Sequence, residues 1–438
     1  MKKILIALVI SISATFAQSQ SLRDSVVIGA ATLEQCIQYA LAHQPAIEQA
    51  RLDERITDYN IRSRLADWYP QIGFGYSLQH NFQRTTSFFN GVVTPVGVSN
   101  TSGGQLSATQ NIFTRDLLLA RRTQGDVRLQ ASTTTAARKI DLAVAITKAF
   151  YDVLTTRQQI NVASENIIRL QKSLSDAFYR YQSGIADKTD YKRAQITLNN
   201  TIATRQANQA SIIAKIEYLK SLMGYPVVAP LTVLYDSLKI EREVAFDTLQ
   251  PLDASKRVDY QLLVTQNRLQ QANVIYQRNS FLPTVAVNGG YNFNYLNNNF
   301  AKLYSANYPN SFVGLTAAIP IFQGGKRKAN IKVAEWQLTR SALDLTNFEN
   351  SANSQYATAL AAYKGSLANY LFSKSNVALA QEVYEVIQLQ YTSGIKTYLE
   401  VITAEADLRT AQINYFNSLY QVLSSKVDAQ RALGLIVY

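Results

Sequence analysis

The chain is written twice, and this duplication constrains its fold more than any other feature. Residues 46–66 form a helical stretch ending at Trp68-Tyr69-Pro70, and residues 259–279 form another ending at Phe281-Leu282-Pro283. An alternating apolar–polar run follows each proline, Gln71 to Leu78 in the first half and Thr284 to Tyr291 in the second, in the same phase. After a polar gap a second run closes with Asn111-Ile112-Phe113 and with Pro320-Ile321-Phe322. Each half then has a long proline-free helical region ending in a nearly identical turn, Tyr181-Gln182-Ser183-Gly184-Ile185 against Tyr391-Thr392-Ser393-Gly394-Ile395. Gly224 follows Gly184 at the same distance as Gly434 follows Gly394. Each unit therefore reads helix, strand, loop, strand, very long helix, tight turn, helix. The repeats are assigned to 32–224 and 252–434, joined by a segment over 225–251, and together they build one structural domain.

The long helices are expected from Thr114 to Gln182 and from Gly324 to Thr392. At 1.5 Å per residue each reaches about 100 Å, far beyond the diameter of a globular domain. In the second, Ile331, Ala334, Leu338, Ala342, Leu345 and Phe348 recur every three or four residues, the narrow stripe of a coiled-coil seam. The other faces carry Ser, Thr, Asn and Gln, and charged residues are only 17% of the chain. Uncharged polar faces suit helices that line water inside a tube.

The strands carry a membrane signal. Ile72, Phe74, Tyr76 and Leu78 share one face, and Gln71, Gly73, Gly75, Ser77 and Gln79 share the other. Leu106, Ala108 and Ile112 oppose Ser107, Thr109 and Asn111; Val285, Val287, Tyr291, Phe293 and Tyr295 oppose Asn288, Asn292 and Asn294. The fourth run aligns Val313, Leu315, Ala317, Ile319 and Ile321. Strands of about 10 residues with one apolar and one polar face are the pattern of outer-membrane barrels. A sheet with one face on a soluble core gives the same alternation. Trp68, Tyr69 and Phe281 suit an interfacial aromatic girdle or a helix contact. Four strands cannot close a barrel, and open edges in lipid leave backbone groups unsatisfied, so several chains must share one barrel. The loops from Asn81 to Gly104 and from Asn297 to Ser311 then lie together on the extracellular side.

Lys2 and Lys3, an apolar Ile4–Ile12 and Ala17 after small residues read as a secretory signal peptide over 1–17. The one Cys, Cys36, excludes an intramolecular disulfide framework, and His43 and His80 lie too far apart to suggest a metal cluster. The net charge is +12, but the basic residues are scattered along an exported chain, so no nucleic-acid partner is expected. No stretch is long and apolar enough for a transmembrane helix beyond the signal peptide. There is no nucleophile–base pair, phosphate loop or metal spacing, and no cofactor is expected. Gly324-Gly325 before Lys326 reads as a strand-to-helix turn.

The duplicated order, the Tyr-x-Ser-Gly-Ile turns and the acid six residues after each Gly (Asp190 and Glu400) resemble the TolC-like outer membrane efflux proteins. The resemblance covers essentially the whole chain after the signal peptide. It implies a mainly α protein with a transmembrane β-barrel: a homotrimer whose 12-stranded barrel, four strands per chain, sits in outer membrane lipid and continues into a long periplasmic α-helical barrel. It implies an exit duct of tripartite efflux pumps or type I secretion systems, without catalysis. Its partners are a periplasmic adaptor (membrane fusion) protein and, through it, an inner-membrane pump.

By resemblance, Ser183, Gly184, Ile185, Ser393, Gly394 and Ile395 form the tip that docks the adaptor, and Gly184 and Gly394 also serve as helix caps. The resemblance likewise gives Tyr181, Asp190, Tyr391, Lys396 and Glu400 to a periplasmic gate closed by carboxylate rings and interhelical polar links. A ring of Glu400 side chains is expected to titrate above an ordinary carboxylate, because like charges oppose ionisation. A second family acid is replaced by Thr403, and Glu405 compensates only if it faces inward. Glu400 can also be read as a solvated helix-start carboxylate. A soluble periplasmic coiled-coil scaffold is the alternative to the duct, and a periplasmic hydrolase lacks the acid–base residues it needs.

Overall fold

A computed structural model describes residues 29–89, 91–234 and 237–437; the signal-peptide segment lies outside them. In chain order the elements are β1 (Ala30–Ala31), α1 (Leu33–His43), α2 (Pro45–Ala66), β2 (Gln71–His80), β3 (Thr86–Phe89), β4 (Val92–Pro95), β5 (Asn100–Phe113), α3 (Arg115–Gln182) and α4 (Lys188–Met223). They continue with β6 (Thr232–Val233), α5 (Ser237–Glu243), α6 (Val258–Arg278), β7 (Thr284–Asn297), β8 (Asn310–Ala318), α7 (Lys326–Thr392) and α8 (Tyr398–Leu433).

The long helices α3 and α7 have 68 and 67 residues. Each starts directly after its strand pair. Thr114 caps α3 by accepting a hydrogen bond from the Leu117 amide (3.3 Å), while Gly324 and Gly325 turn the chain into α7 through positive φ. Each long helix packs antiparallel on the helix that follows it, and the shorter α2 and α6 continue the wall beside α3 and α7. In the α7 seam the buried or half-buried positions are Ile331, Ala334, Leu338, Ser341, Leu345 and Phe348. Ser341 replaces the expected Ala342, which is exposed. This keeps a strict heptad repeat.

The sheet order is β2-β5-β7-β8, antiparallel throughout. Register pairs Phe74 with Leu106, Leu106 with Tyr291, and Val287 with Leu315, so all four strands put their apolar residues on one face. On the other face Asn288 donates to Thr316 (2.9 Å) and Asn292 to Asn310 (2.5 Å). The apolar face is uncovered: Ile72 is 72% exposed, Leu315 70% and Val313 85%. Among the described residues no strand pairs with the outer edge of β2 or β8.

Three details differ from the sequence reading. β5 begins at Asn100, inside the loop expected from Asn81 to Gly104, and the remainder of that loop holds the hairpin β3–β4. β8 stops at Ala318, so Ile319 and Ile321 lie beyond the strand; Pro320 has no N–H for a ladder. The second loop contains a 3-10 turn over Phe300–Ser305.

Midway along the helices an extra layer is added. β1 pairs in parallel with β6, and α1 and the segment after α4 pack beside them. Its core includes Cys36, Tyr39, Val153, Leu219, Met223, Val233 and Tyr363, each nearly or fully buried. Burying each large apolar side chain here contributes about 1.5–3 kcal/mol. Tyr363 also satisfies its hydroxyl by donating to the Val244 carbonyl (2.8 Å). Cys36 is buried in this core, and burial pushes its thiol up to about 12, as suits an inert packing residue.

Candidate functional site

The two turns at the far end of the long helices have the same backbone. In the first, Gly184 (φ +71°) donates to the Tyr181 carbonyl (3.0 Å) and Ile185 to the Arg180 carbonyl (2.9 Å). In the second, Gly394 (φ +75°) donates to Tyr391 (3.0 Å) and Ile395 to Gln390 (2.9 Å). Both are Schellman caps, which require the left-handed conformation that glycine adopts without penalty. A side chain at either glycine meets nothing within 4 Å, so its cost is backbone strain alone. In many such caps the residue after the glycine packs back on the helix. Here Ile185 and Ile395 are 74% and 72% exposed, and Ser183 and Ser393 are exposed too.

The tips of the two coils touch. Ala177 and Ala194 from the first half pack against Tyr391, Tyr398 and Val401 from the second. The Arg180 guanidinium lies 4.4 Å from the Tyr391 ring centroid, and the Tyr398 hydroxyl is 3.0 Å from Ser173 Oγ. Tyr391 is buried, and its hydroxyl has no hydrogen-bond partner among the described residues. Burial raises its pKa; Arg180 opposes the shift, and Asp190 and Asp176 add to it. The equivalent Tyr181 is half-exposed and rests on Tyr191, ring centroids 5.1 Å apart.

The two matched acids differ as well. Asp190 follows Asp187, which caps α4 by accepting from the Thr189 amide (2.7 Å). With the cap supplied by Asp187, Asp190 is left half-buried, and its carboxyl is held above the usual range by desolvation and by Asp187. In the second half Glu400 makes the cap contact itself. It accepts from the Thr397 amide (2.9 Å) and forms an ion pair with Lys396 (2.6 Å). These contacts, the Lys396 bond first, hold its carboxyl down at about 2. This differs from the high-titrating acid expected for a ring: within one protomer a lysine, and not another carboxylate, is its neighbour. The Thr397-x-x-Glu400 spacing is a capping-box signal present in the sequence.

Glu405, the acid that compensates for Thr403 only if it faces inward, lies in α8. It is 4% exposed, enclosed where α8 meets α3, and its Oε1 has no hydrogen-bond partner among the described residues. Desolvation pushes its pKa up to about 7 against the opposing pull of Arg169 and Arg409. Arg409 donates instead to Thr201 Oγ1 (2.9 Å), and Arg169 to Asn166. Among the described residues no group of three or more metal-ligating side chains forms, and no helix is long and apolar enough to cross a membrane.

Two helices of roughly 100 Å, an apolar-faced sheet above them and two capped turns below define an envelope conduit by class. The chain belongs to the outer membrane efflux protein family, whose sequence profile matches residues 36–225 and 260–435. The chain is similar to the outer membrane protein TolC of Escherichia coli (strain K12), at 23% identity over 93% of this chain and 83% of the relative. It is also similar to the outer membrane efflux protein BepC of Brucella suis, at 21% identity over 94% of this chain and 88% of that one. Among solved structures, the outer membrane protein VceC of Vibrio cholerae superposes with a TM-score of 0.73 at 16% identity, covering 92% of this chain and 96% of that one. Family membership places the protein in the outer membrane as an efflux channel component.

Proposed function

We propose that three copies of this chain share one 12-stranded barrel and form a passive duct. The carrying observation is the four-stranded sheet, with its exposed apolar face and two unpaired edges, set above helices too long for a globular core. Lipid covers such a face, and only closure satisfies such edges. A soluble scaffold would leave the apolar face in water. The polar face, with its Asn, Ser, Thr and Gly residues, lines the water-filled lumen.

The capped turns are the periplasmic end. The exposed Ile185 and Ile395, with Ser183 and Ser393 beside them, offer a small apolar surface in duplicate per chain to an adaptor protein, and through it to an inner-membrane pump. Tyr391, Asp190 and the Lys396–Glu400 pair form the layer that closes the tunnel, with Tyr181 on its first-half side. Transport energy comes from the pump. Small molecules such as drugs are the exported class; a type I secretion role uses the same geometry.

The experiment is conductance of the purified protein in planar bilayers, joined to drug accumulation in cells lacking it. Ion current without added nucleotide and raised accumulation are expected. A protein that carries no current and whose loss leaves accumulation unchanged would overturn the reading.

A further inference from the structure

Directly below the sheet, the start of α3 and the end of α6 enclose a groove of about 400 Å³. Arg115, Arg121 and Arg122 line it, and Leu118, Leu119 and Ile275 give it an apolar floor. Several arginines nearby are paired: Arg62 and Arg128 share Asp58, Arg268 meets Asp126, and Arg278 meets Glu335. Among the described residues none of the groove's three arginines has a carboxylate partner. The neighbouring Asp116 accepts from the Tyr276 hydroxyl (2.6 Å), and Arg115 lies 4.5 Å from the Tyr276 ring centroid. Three guanidinium groups without an ion-pair partner, beside an apolar floor, fit an anion carried on a hydrocarbon body.

The groove's position selects that ligand. Arg115 comes two residues after Phe113, which pairs with Val285 at the lower end of the apolar face. Arg122 lies about 10 Å further down the helix. Exposed Trp68, Tyr69 and Phe281 mark the same level as a membrane interface. About ten turns of 3.6 residues along α3 carry the Leu118 and Arg121 face to Leu154 and Arg157. There Leu154 lies in the core of the extra layer, and Arg157 donates to the Val233 carbonyl (2.7 Å). The groove therefore opens on the side where the extra layer is packed, the outer wall of the tube.

We propose that this groove binds the headgroup phosphate of a membrane phospholipid in the periplasmic leaflet, with the start of an acyl chain on the leucine floor. The inference rests on the duct reading for the position of the membrane. Bound lipid would tie the top of the helical wall to the bilayer just beneath the barrel.

The test is native mass spectrometry of the full-length protein in neutral detergent, titrated with phosphatidylglycerol, diacylglycerol or glycerol 3-phosphate. Saturable phosphatidylglycerol binding is expected. Arg121→Gln with Arg122→Gln should weaken it about tenfold. Leu118→Asn, which leaves the charge intact, should also weaken it. Diacylglycerol should not bind, and glycerol 3-phosphate should not compete. Equal lipid affinity in the double arginine variant, an unchanged Leu118→Asn, or displacement by glycerol 3-phosphate would overturn the site; the last would mark a free-anion pocket. All variants are first recovered from the outer membrane and tested for conductance. Failure there in the wild type overturns the duct reading, whereas unchanged lipid affinity in conducting protein overturns only the groove.

Discussion

The two capped turns share a backbone and differ in almost everything around it. Gly184 and Gly394 cap their helices through the same hydrogen bonds, yet Tyr181 is half-exposed beside its cap and Tyr391 is enclosed between the coils. Asp190 is freed from capping by Asp187, while Glu400 is held by its own helix start and by Lys396. Duplication thus preserved the element that fixes chain direction, and the side chains diverged. The second half supplies the buried contacts that hold the tips together. The first half supplies the alanines they close upon and an acid with few fixed partners.

The largest expected difference separates the tyrosines. Tyr391→Ala removes a buried ring from the contact between coils and should destabilise it by about 3 kcal/mol, with larger conductance from a loosened tip. Tyr181→Ala should cost well under half of that. Thermal unfolding and single-channel current measure both, and equal effects would remove the asymmetry. The glycines should behave alike: valine at Gly184 or Gly394 costs about 1–2 kcal/mol of backbone strain with no steric clash. Trimers should still assemble, and efflux from intact cells should weaken. Unchanged efflux with valine at both positions would show that the turns are not the docking surface.

Glu405 sharpens the contrast through pH. Its folded pKa is raised to about 7 from an ordinary 4.5, so the folded state holds the proton more tightly. The associated stability is fully present below about pH 4.5 and is lost as pH rises through about 7. Glu405→Gln should remove that slope and raise the melting temperature at pH 8. Parallel pH profiles for wild type and variant would place the carboxylate in water. The smallest effect is expected at Glu400. Glutamine can keep the capping-box contact, so Glu400→Gln should leave stability nearly unchanged while lowering cation selectivity. Reversal potentials in a salt gradient give the answer, and identical values would leave Glu400 a helix-start residue only.

The repeats, the strand faces and the ends of the long helices were legible because Pro, Gly and period-two alternation act locally. Strand length was less legible: Asn100 to Gln105 carry little apolar alternation, and the ladder to β7 extends them regardless. The choice of Ser341 over Ala342 depends on which of two adjacent small residues faces the partner helix, and only packing decides that. The burial of Glu405 was not legible, because the α3 surface that encloses it lies far away in sequence. Glu400 was legible twice over, as a family gate position and as the fourth residue of a capping box, and the protomer realises the second. The groove beneath the sheet went unread because its arginines were three among many scattered basic residues, and only the fold shows that they lack acids.

The central claim is that the sheet's open edges are closed by other copies of the same chain. Its direct test is the protein mass, by light scattering, of the material extracted from the outer membrane in detergent. A single species with the mass of three chains, released only by detergent, is the expected result. A monodisperse monomer soluble without detergent would contradict the shared barrel and, with it, the duct.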